Sequence, residues 1–278
     1  TEFLACKRWG FHHLPYAGEN DLSYLIVHNS RWDQCGVEER KAITGITQAN
    51  PGVVTSAAHG KVNGDKVRLC GVFGMTEINL QPLTVTVIDA NSFSVGIDTT
   101  AYTAYSSGGY VYNRKPTSGS IKMNPQMASL RNSFITSSFN VGMFIDGDLI
   151  PSFKTLLESF TIENTTGISL LCTGASGLTL DDCDIRANQS YTSGNNYCHV
   201  LLDASAGLIS EVKLTANAII TFNGADPDVV DCPHSAFEGF GPNLGAVTIE
   251  DTTWKAFDTP NLKRYGDNLY FSSALKTR

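Results

Sequence analysis

The sequence predicts an all-β fold, and three observations carry this prediction. Short runs such as residues 83–88 alternate apolar side chains with Thr, at the period of two that is typical of a strand lying on a core. Turn-forming pairs such as Asn63-Gly64 interrupt these runs at short intervals. Helical periodicity is sparse, and only residues 37–43 and 153–159 suggest a short helical turn each.

The composition excludes some classes of function. The 278 residues carry a formal net charge of −7, and only 17% of them are charged. Because phosphate binding needs a concentrated basic patch and no Lys/Arg run exceeds a pair, we expect no direct contact with nucleic acid. No apolar run reaches the roughly 18 residues of a spanning helix, so we expect no membrane insertion. The low charge content suits a protein whose surface is largely covered by partners.

The seven cysteines are an odd number, and no two of them have C-x-x-C spacing. Because disulfide frameworks and zinc sites need paired or clustered cysteines, we expect neither of them. We interpret the cysteines as buried free thiols of a protein made in a reducing cytoplasm. The sequence predicts no cofactor and no bound metal.

The chain divides into four predicted segments. Residues 1–42 are rich in aromatic side chains and are expected to dock on their own domain or on a neighbouring subunit. Residues 43–112 hold five or six short strands, the spacing of a compact β-barrel or sandwich. Residues 113–150 are a connector with short strands, and residues 151–278 form a separate β-rich domain.

Two local features are predicted inside these segments. Residues 25–27 indicate a buried strand near the start of the chain. The strands at 53–55 and 66–70 flank Asn63-Gly64, which indicates a hairpin. His59 precedes a glycine at a turn, so we interpret it as a structural or exposed residue and not as a catalytic base.

A specific resemblance covers residues 43–112. The strings GITQANPGVVTSAAHGKVNGDKVRLCGVFGMTEIN (45–79) and ANSFSVGIDTTAYTAYSSGG (90–109) resemble the FCCH-like domain, named after the first catalytic-cysteine half-domain of ubiquitin-activating enzymes. Copies of this module occur in tail proteins of tailed bacteriophages. The resemblance implies no catalytic cysteine, so Cys70 is expected in the core. The sequence departs from the family at Leu80-Gln81-Pro82, where a glycine-containing turn is more usual.

A different sequence pattern recurs in residues 151–278. Four segments share a short apolar alternation: FTIEN (160–164), LTLDDCDI (178–185), VKLTAN (212–217) and VTIEDTTW (247–254). Since a coil of parallel β-helix takes about 20–30 residues, this region resembles a short, irregular right-handed β-helix, as in phage tailspikes and polysaccharide lyases. An antiparallel β-sandwich would give a similar alternation and stays as the alternative.

Asp182 and Asp184 are the strongest chemical candidates. If the apolar residues of 178–185 point inward, the run needs a bend near Asp181, and both carboxylates project outward at about 6.5–7 Å from each other. That separation is in the range of a glycoside-hydrolysing pair, and a Ca²⁺ ion is another possible occupant. Outward positions of any β-helix must be polar, however. We therefore expect Asp182 and Asp184 to be ordinary solvent-exposed residues, and we assign no catalytic or metal-binding residue.

A polar, aromatic loop at residues 189–197 has the composition of an adaptable contact surface. We expect Tyr191, Asn195 and Tyr197, together with Trp254, to contact a glycan or another subunit. A solvated loop without a partner is the alternative interpretation.

These observations together predict a non-enzymatic structural protein of a bacteriophage virion. It would act in tail assembly or as a fibre or spike attachment component, in contact with other tail subunits and with copies of itself. Its location would be the virion tail, after synthesis in the bacterial host cytoplasm. Two alternatives stay open: a module that binds a host surface glycan, and a tailspike that depolymerises polysaccharide through Asp182 and Asp184.

Overall fold

The computed structural model describes residues 1–13, 24–124, 126–147, 154–163, 165–186, 200–209, 211–215, 219–222, 237–240, 244–249, 253–256 and 269–271. The early strands are β1 (Glu2–Leu4), β2 (Trp9–His12), β3 (Tyr24–His28), β4 (Arg31–Asp33), β5 (Lys41–Ala42), β6 (Gly45–Ile46), β7 (Val53–Thr55), β8 (Lys66–Phe73), β9 (Leu83–Thr84), β10 (Thr86–Asp89), β11 (Ser92–Ser94) and β12 (Ser107–Asn113). The later strands are β13 (Gly119–Met123), β14 (Met127–Ile135), β15 (Val141–Ile145), β16 (Lys154–Ile162), β17 (Ile168–Cys172), β18 (Leu178–Asp181), β19 (Asp184–Arg186), β20 (Val200–Asp203), β21 (Val212–Thr215), β22 (Ile219–Phe222), β23 (Phe237–Phe240), β24 (Val247–Ile249), β25 (Thr253–Ala256) and β26 (Leu269–Phe271).

The all-β prediction is confirmed. A single 3₁₀ turn, Thr76–Ile78, is the one helical element among the residues that the structure describes. The two predicted helical turns are wrong. Residues 37–40 have no helical assignment and are followed by β5, and residues 154–159 belong to β16, which pairs with strands on both of its sides.

Two parallel sheets, here called the parallel stack, hold most of the strands. An eleven-stranded sheet has the order β1-β4-β14-β16-β18-β21-β24, with β3, β19, β22 and β25 joined beside that path. A seven-stranded sheet has the order β2-β13-β15-β17-β20-β23-β26. From β13 onward the chain alternates between the two sheets, and each described pair in them is parallel. The antiparallel sandwich considered for residues 151–278 is therefore wrong for the described strands.

A spacing of two, three and two residues recurs at the inward positions of the larger sheet. It is seen at Ala128, Leu130, Ser133 and Ile135, at Thr155, Leu157, Phe160 and Ile162, and at Leu178, Leu180, Cys183 and Ile185, all of which are buried. Pairing in register stacks these positions on one another. The step of three marks a bend. In a regular strand, residues three apart point to opposite faces, so the backbone must bend for both of them to face inward.

The second structure is an antiparallel β-module, built from β5 to β12. Its two four-stranded sheets have the orders β10-β11-β7-β6 and β5-β12-β8-β9, and they pack around buried residues that include Val54, Leu69 and Phe93. The Asn63-Gly64 turn is present, with Gly64 at a φ of 90°. The predicted hairpin is wrong, because β7 and β8 on either side of the turn belong to different sheets. The turn is a corner between the two sheets.

The β-module is an insertion within the parallel stack. β1 to β4 precede it, and β2 and β4 pair with β13 and β14, which follow it. The chain leaves the parallel stack and re-enters it at adjacent points, since a Cβ built on Gly36 would lie 3.0 Å from the backbone nitrogen of Gly119. Residues 1–42 and 113–150 thus supply strands to the same two sheets as the strands after residue 151. β3 forms at the predicted strand 25–27, although Ile26 is 56% exposed.

Candidate functional site

The predicted bend next to Asp181 is confirmed. β18 ends at Asp181 and β19 begins at Asp184, and Asp182 between them has a φ of 50°. This left-handed conformation is most accessible to Gly, Asn and Asp, which explains the residue type. Asp182 is exposed, and its Oδ2 accepts a hydrogen bond from the Ser159 hydroxyl at 2.8 Å. Asp184 is half-buried.

The same backbone bend recurs at the equivalent position of neighbouring strands. Its members share a φ between 48° and 51°, and they are Asn29, Asn132, Ser159 and Asp182. A polar side chain at Asp182 is thus accounted for by the bend and by its bond to Ser159. Among the described residues, no group of three or more His, Cys, Asp or Glu side chains could hold a metal ion.

The predicted contact residues are placed only in part. Tyr191, Asn195 and Tyr197 lie outside the described residues. The backbone of Trp254 lies in β25, opposite Ile220 of β22, and the side chain of Trp254 is likewise outside the described part of the chain. The contact of these four residues with a glycan or another subunit therefore stays a prediction.

His59 and Cys70 have structural environments, as expected. The His59 ring is buried, its Nδ1 accepts a hydrogen bond from the Lys61 backbone N–H at 2.9 Å, and its Nε2 lies 2.9 Å from the Asp89 carbonyl oxygen. Cys70 is 1% exposed within an apolar cluster. His59 thus stabilises the inside of the β-module, and Cys70 contributes to the apolar cluster between the module and the parallel stack.

That apolar cluster joins the β-module to the outer face of the seven-stranded sheet. The module contributes Cys70, Leu80 and Tyr112, and the sheet contributes Val141, Phe144, Ile168, Leu171 and Leu201. Leu80 has a φ of 60°, the conformation that glycine adopts without strain. Leu80 thus places an apolar side chain in the interface at the cost of an unfavourable backbone conformation.

A buried ion group crosses the same interface. Asp203, at the end of β20, is fully buried and receives Arg114 Nε on its Oδ2 at 2.8 Å. Arg68 Nη2, from β8, also donates to this oxygen, and its side chain is 1% exposed. Two cations on one carboxylate compensate the desolvation of all three groups only while the module stays docked. Sequence analysis missed this group, although a charged residue inside the apolar strand β8 was a signal.

A cleft opens beside the docked module, at the start of the seven-stranded sheet. It has a volume of about 450 Å³ and is lined by Arg8, Trp9, His12, Lys115, Pro116, Thr117 and Lys122. Asp146 orients two of these side chains, with Lys115 Nζ at 2.8 Å and Lys122 Nζ at 3.0 Å from its oxygens. Burial lowers the pKa of His12, and the nearby Lys122 adds to this effect. The arrangement can bind a small polar ligand.

Within the described part of the chain we find no helix with the length and apolar character needed to traverse a bilayer.

Comparison with known proteins concerns the β-module. Residues 49–115 match the profile of the family described as the ubiquitin-activating enzyme E1 FCCH domain. The chain is also similar to ubiquitin-like modifier-activating enzyme 1 of Oryctolagus cuniculus, at 41% identity over 73 residues. The alignment covers 25% of this chain and only 7% of that relative. Residues 49–115 of this chain thus contain an E1 FCCH domain, as the motifs within 45–79 and 90–109 predict.

Proposed function

We propose that this chain is a structural protein of a tailed-bacteriophage virion, acting in tail assembly or as a fibre or spike attachment component. The observation that carries the proposal is the fixed docking of the FCCH module on the parallel stack. An apolar cluster and the buried Asp203 ion group bind the two parts into one body. A rigid body of this kind suits a spacer in an assembly. Its partners would be other tail subunits and copies of itself.

The parallel stack supports an elongated attachment role. The alternation of the chain between two parallel sheets is the connectivity of a β-helix, and we propose that these strands form a short one. Its hand would be right-handed, because connections between parallel strands of one sheet are right-handed in about 98% of cases.

Exposed apolar side chains support contacts between copies. Tyr24 and Ile26 on β3 are 57% and 56% exposed, and Phe134 on the neighbouring β14 is 46% exposed. Large apolar side chains on the first strands of one sheet suit a surface that is covered in an assembly.

The test is to locate the chain in purified virus particles. Quantitative mass spectrometry of intact particles should find it at a fixed copy number, and cryo-electron microscopy should place the FCCH module in the tail. Light scattering on the isolated protein should report a closed oligomer. Absence of the chain from intact particles would contradict the proposal.

Glycan binding is the second candidate function, favoured by the cleft at Trp9 and Lys122. Depolymerisation through Asp182 and Asp184 is less well supported, since Asp182 has a structural role at the bend. Release of reducing ends from capsular polysaccharide that is abolished by Asp182→Asn or Asp184→Asn would favour the enzyme instead.

A further inference from the structure

The cleft beside the FCCH module lies over the outer face of the seven-stranded sheet. His12, Lys122 and Phe144 are aligned across β2, β13 and β15, so their positions alternate with the inward-facing positions of the core. The turn at residues 115–117, which leads from the module into β13, forms the opposite wall. The segment that follows the module thus supplies one wall of the cleft.

The charge around this cleft is opposite in sign to that of the whole chain. Arg8, Lys115 and Lys122 line it, against the carboxylates of Asp146 and of Glu39, which accepts a hydrogen bond from the Thr117 hydroxyl at 2.6 Å. Among the residues that the structure describes around the cleft, three cations thus face two anions, in a protein with a formal net charge of −7. A local excess of positive charge in a concave site favours an anionic ligand.

Two of the three cationic side chains, Lys115 and Lys122, are held in place by neighbouring residues. Asp146 bridges both lysines, and the Lys122 ammonium lies 5.4 Å from the centre of the Phe144 ring. Lys122 is only 22% exposed, so little side-chain freedom is left to lose when a ligand binds. Arg8 is exposed at the rim and can reach toward a carboxylate.

The remaining lining selects a ligand with both apolar and hydroxyl-bearing surface. The Trp9 ring is half-buried and packs on Phe144, with ring centroids 6.3 Å apart, so one side of the cleft is a fixed aromatic wall. At neutral pH the His12 imidazole is neutral, since burial and Lys122 lower its pKa, and it offers one donor and one acceptor. The volume of about 450 Å³ lies within the range of small-ligand sites.

We infer that this cleft binds a carboxylate-bearing saccharide, with Arg8 and Lys122 on the carboxylate and Trp9 against the sugar ring. The site shares no residue with the predicted contact set of Tyr191, Asn195, Tyr197 and Trp254. It deepens the glycan-binding candidate and rests on it for the biological source of the saccharide.

The experiment is a calorimetric titration of the full chain with trigalacturonate, and with a neutral trigalactoside of the same linkage. Trigalacturonate should bind at least tenfold more tightly than the neutral sugar. Arg8→Gln should weaken trigalacturonate binding about fivefold to tenfold, which corresponds to the loss of one charge-assisted hydrogen bond. Lys7→Gln removes the same charge from the adjacent exposed residue outside the cleft and should change binding less than twofold.

Lys115→Gln is a second cleft variant, since Lys115 is 42% exposed and its loss leaves Asp146 paired with Lys122. Equal affinity for the acidic and neutral sugars, or equal loss in Arg8→Gln and Lys7→Gln, would overturn the inference. Inorganic phosphate that competes as well as trigalacturonate would overturn the saccharide class. None of these outcomes affects the proposed structural role, which the composition of the virus particle tests separately.

Discussion

Asp203 Oδ2 lies 2.8 Å from Arg114 Nε, and these two residues join the parallel stack to the inserted FCCH module across 89 residues of sequence. Arg68 reaches the same oxygen from β8, the strand that pairs with β12. A carboxylate that pairs with two buried cations is a sensitive point of the structure, because neither cation can recover its hydration while the module stays docked.

Asp203→Asn should therefore be strongly destabilising. The substitution keeps the shape of the side chain but removes the negative charge that Arg68 and Arg114 share, and we expect a loss of about 3–5 kcal/mol in the free energy of unfolding. Urea denaturation of the full chain measures it. Asp33→Asn is the matched control, because Asp33 pairs with Arg31 at an exposed site and should cost less than about 1 kcal/mol. Similar losses in the two variants would show that the Asp203 group does not hold the module.

At Leu80, the glycine variant should be at least as stable as the alanine variant, which reverses the usual order. Leu80→Ala removes buried apolar contact and keeps the unfavourable backbone, so we expect a loss of about 2–4 kcal/mol. Leu80→Gly loses the same contact but relieves about 1 kcal/mol of left-handed strain, so it should be no less stable than the alanine variant. Thermal or urea unfolding compares them. A glycine variant about 1 kcal/mol less stable than the alanine variant, the usual order, would contradict the assigned conformation.

The bend at Asp182 should tolerate Asn and reject a β-branched residue. Asp182→Asn should change the free energy of unfolding by less than about 0.5 kcal/mol, since Asn also adopts the left-handed conformation. Asp182→Val should cost about 1–2 kcal/mol, because a β-branched side chain clashes at positive φ. Thr179→Val in the adjacent strand β18 is the control and should be nearly neutral. Equal stability of the two valine variants would argue against the bend.

The cysteines should differ widely in reactivity. Burial raises the pKa of Cys183 to about 12 and that of Cys35 to about 11, so very little thiolate is present at pH 8. Cys6 is only half-buried. Iodoacetamide labelling of the native protein, followed by peptide mass spectrometry, should modify Cys6 well before Cys35 and Cys183. Labelling of unfolded protein supplies the reference rates, and modification of Cys183 as fast as Cys6 would contradict its burial.

The FCCH module should lose stability in acid through Glu77. The Glu77 carboxylate accepts hydrogen bonds from the Thr103 backbone N–H at 2.9 Å and from its hydroxyl at 2.8 Å, which lowers the Glu77 pKa below 4.5. A lowered folded pKa stabilises the protein above pH 4.5 and loses that effect as the pH falls through the lowered value. Glu77→Gln should flatten the pH dependence of the unfolding midpoint between pH 5 and 3. An unchanged profile would exclude this contribution.

The sequence was informative where structure is local. The alternation at residues 83–88, the bend beside Asp181 and the FCCH motifs each depend on a few neighbouring residues. The structure confirms the first two, and the family comparison confirms the FCCH domain. The helix expected at 153–159 shows the limit. The inward spacing of two, three and two residues around Ser159 includes a step of three, which imitates one turn of a helix.

The relation between the module and the parallel stack could not be predicted from neighbouring residues. β2 pairs with β13 across about a hundred residues, and Arg68 meets Asp203 across 135. Two signals were nonetheless present. The strands β15, β17 and β20 are apolar at every position except Ser169 in β17 and Asp203 at the end of β20, which is typical of a sheet covered on both faces. Arg68 within an apolar strand indicated a distant counter-ion.

The close approach of Gly36 and Gly119 means that the inserted module could be exchanged for another domain. Since the chain leaves and re-enters the sheets at adjacent points, another domain with neighbouring termini could replace residues 37–118 without altering the strand register on either side. The replacement would need an apolar face for Phe144, Leu171 and Leu201 and a cation for Asp203. Recombination between unrelated genes at this junction would then diversify what the scaffold displays while the scaffold itself stays the same.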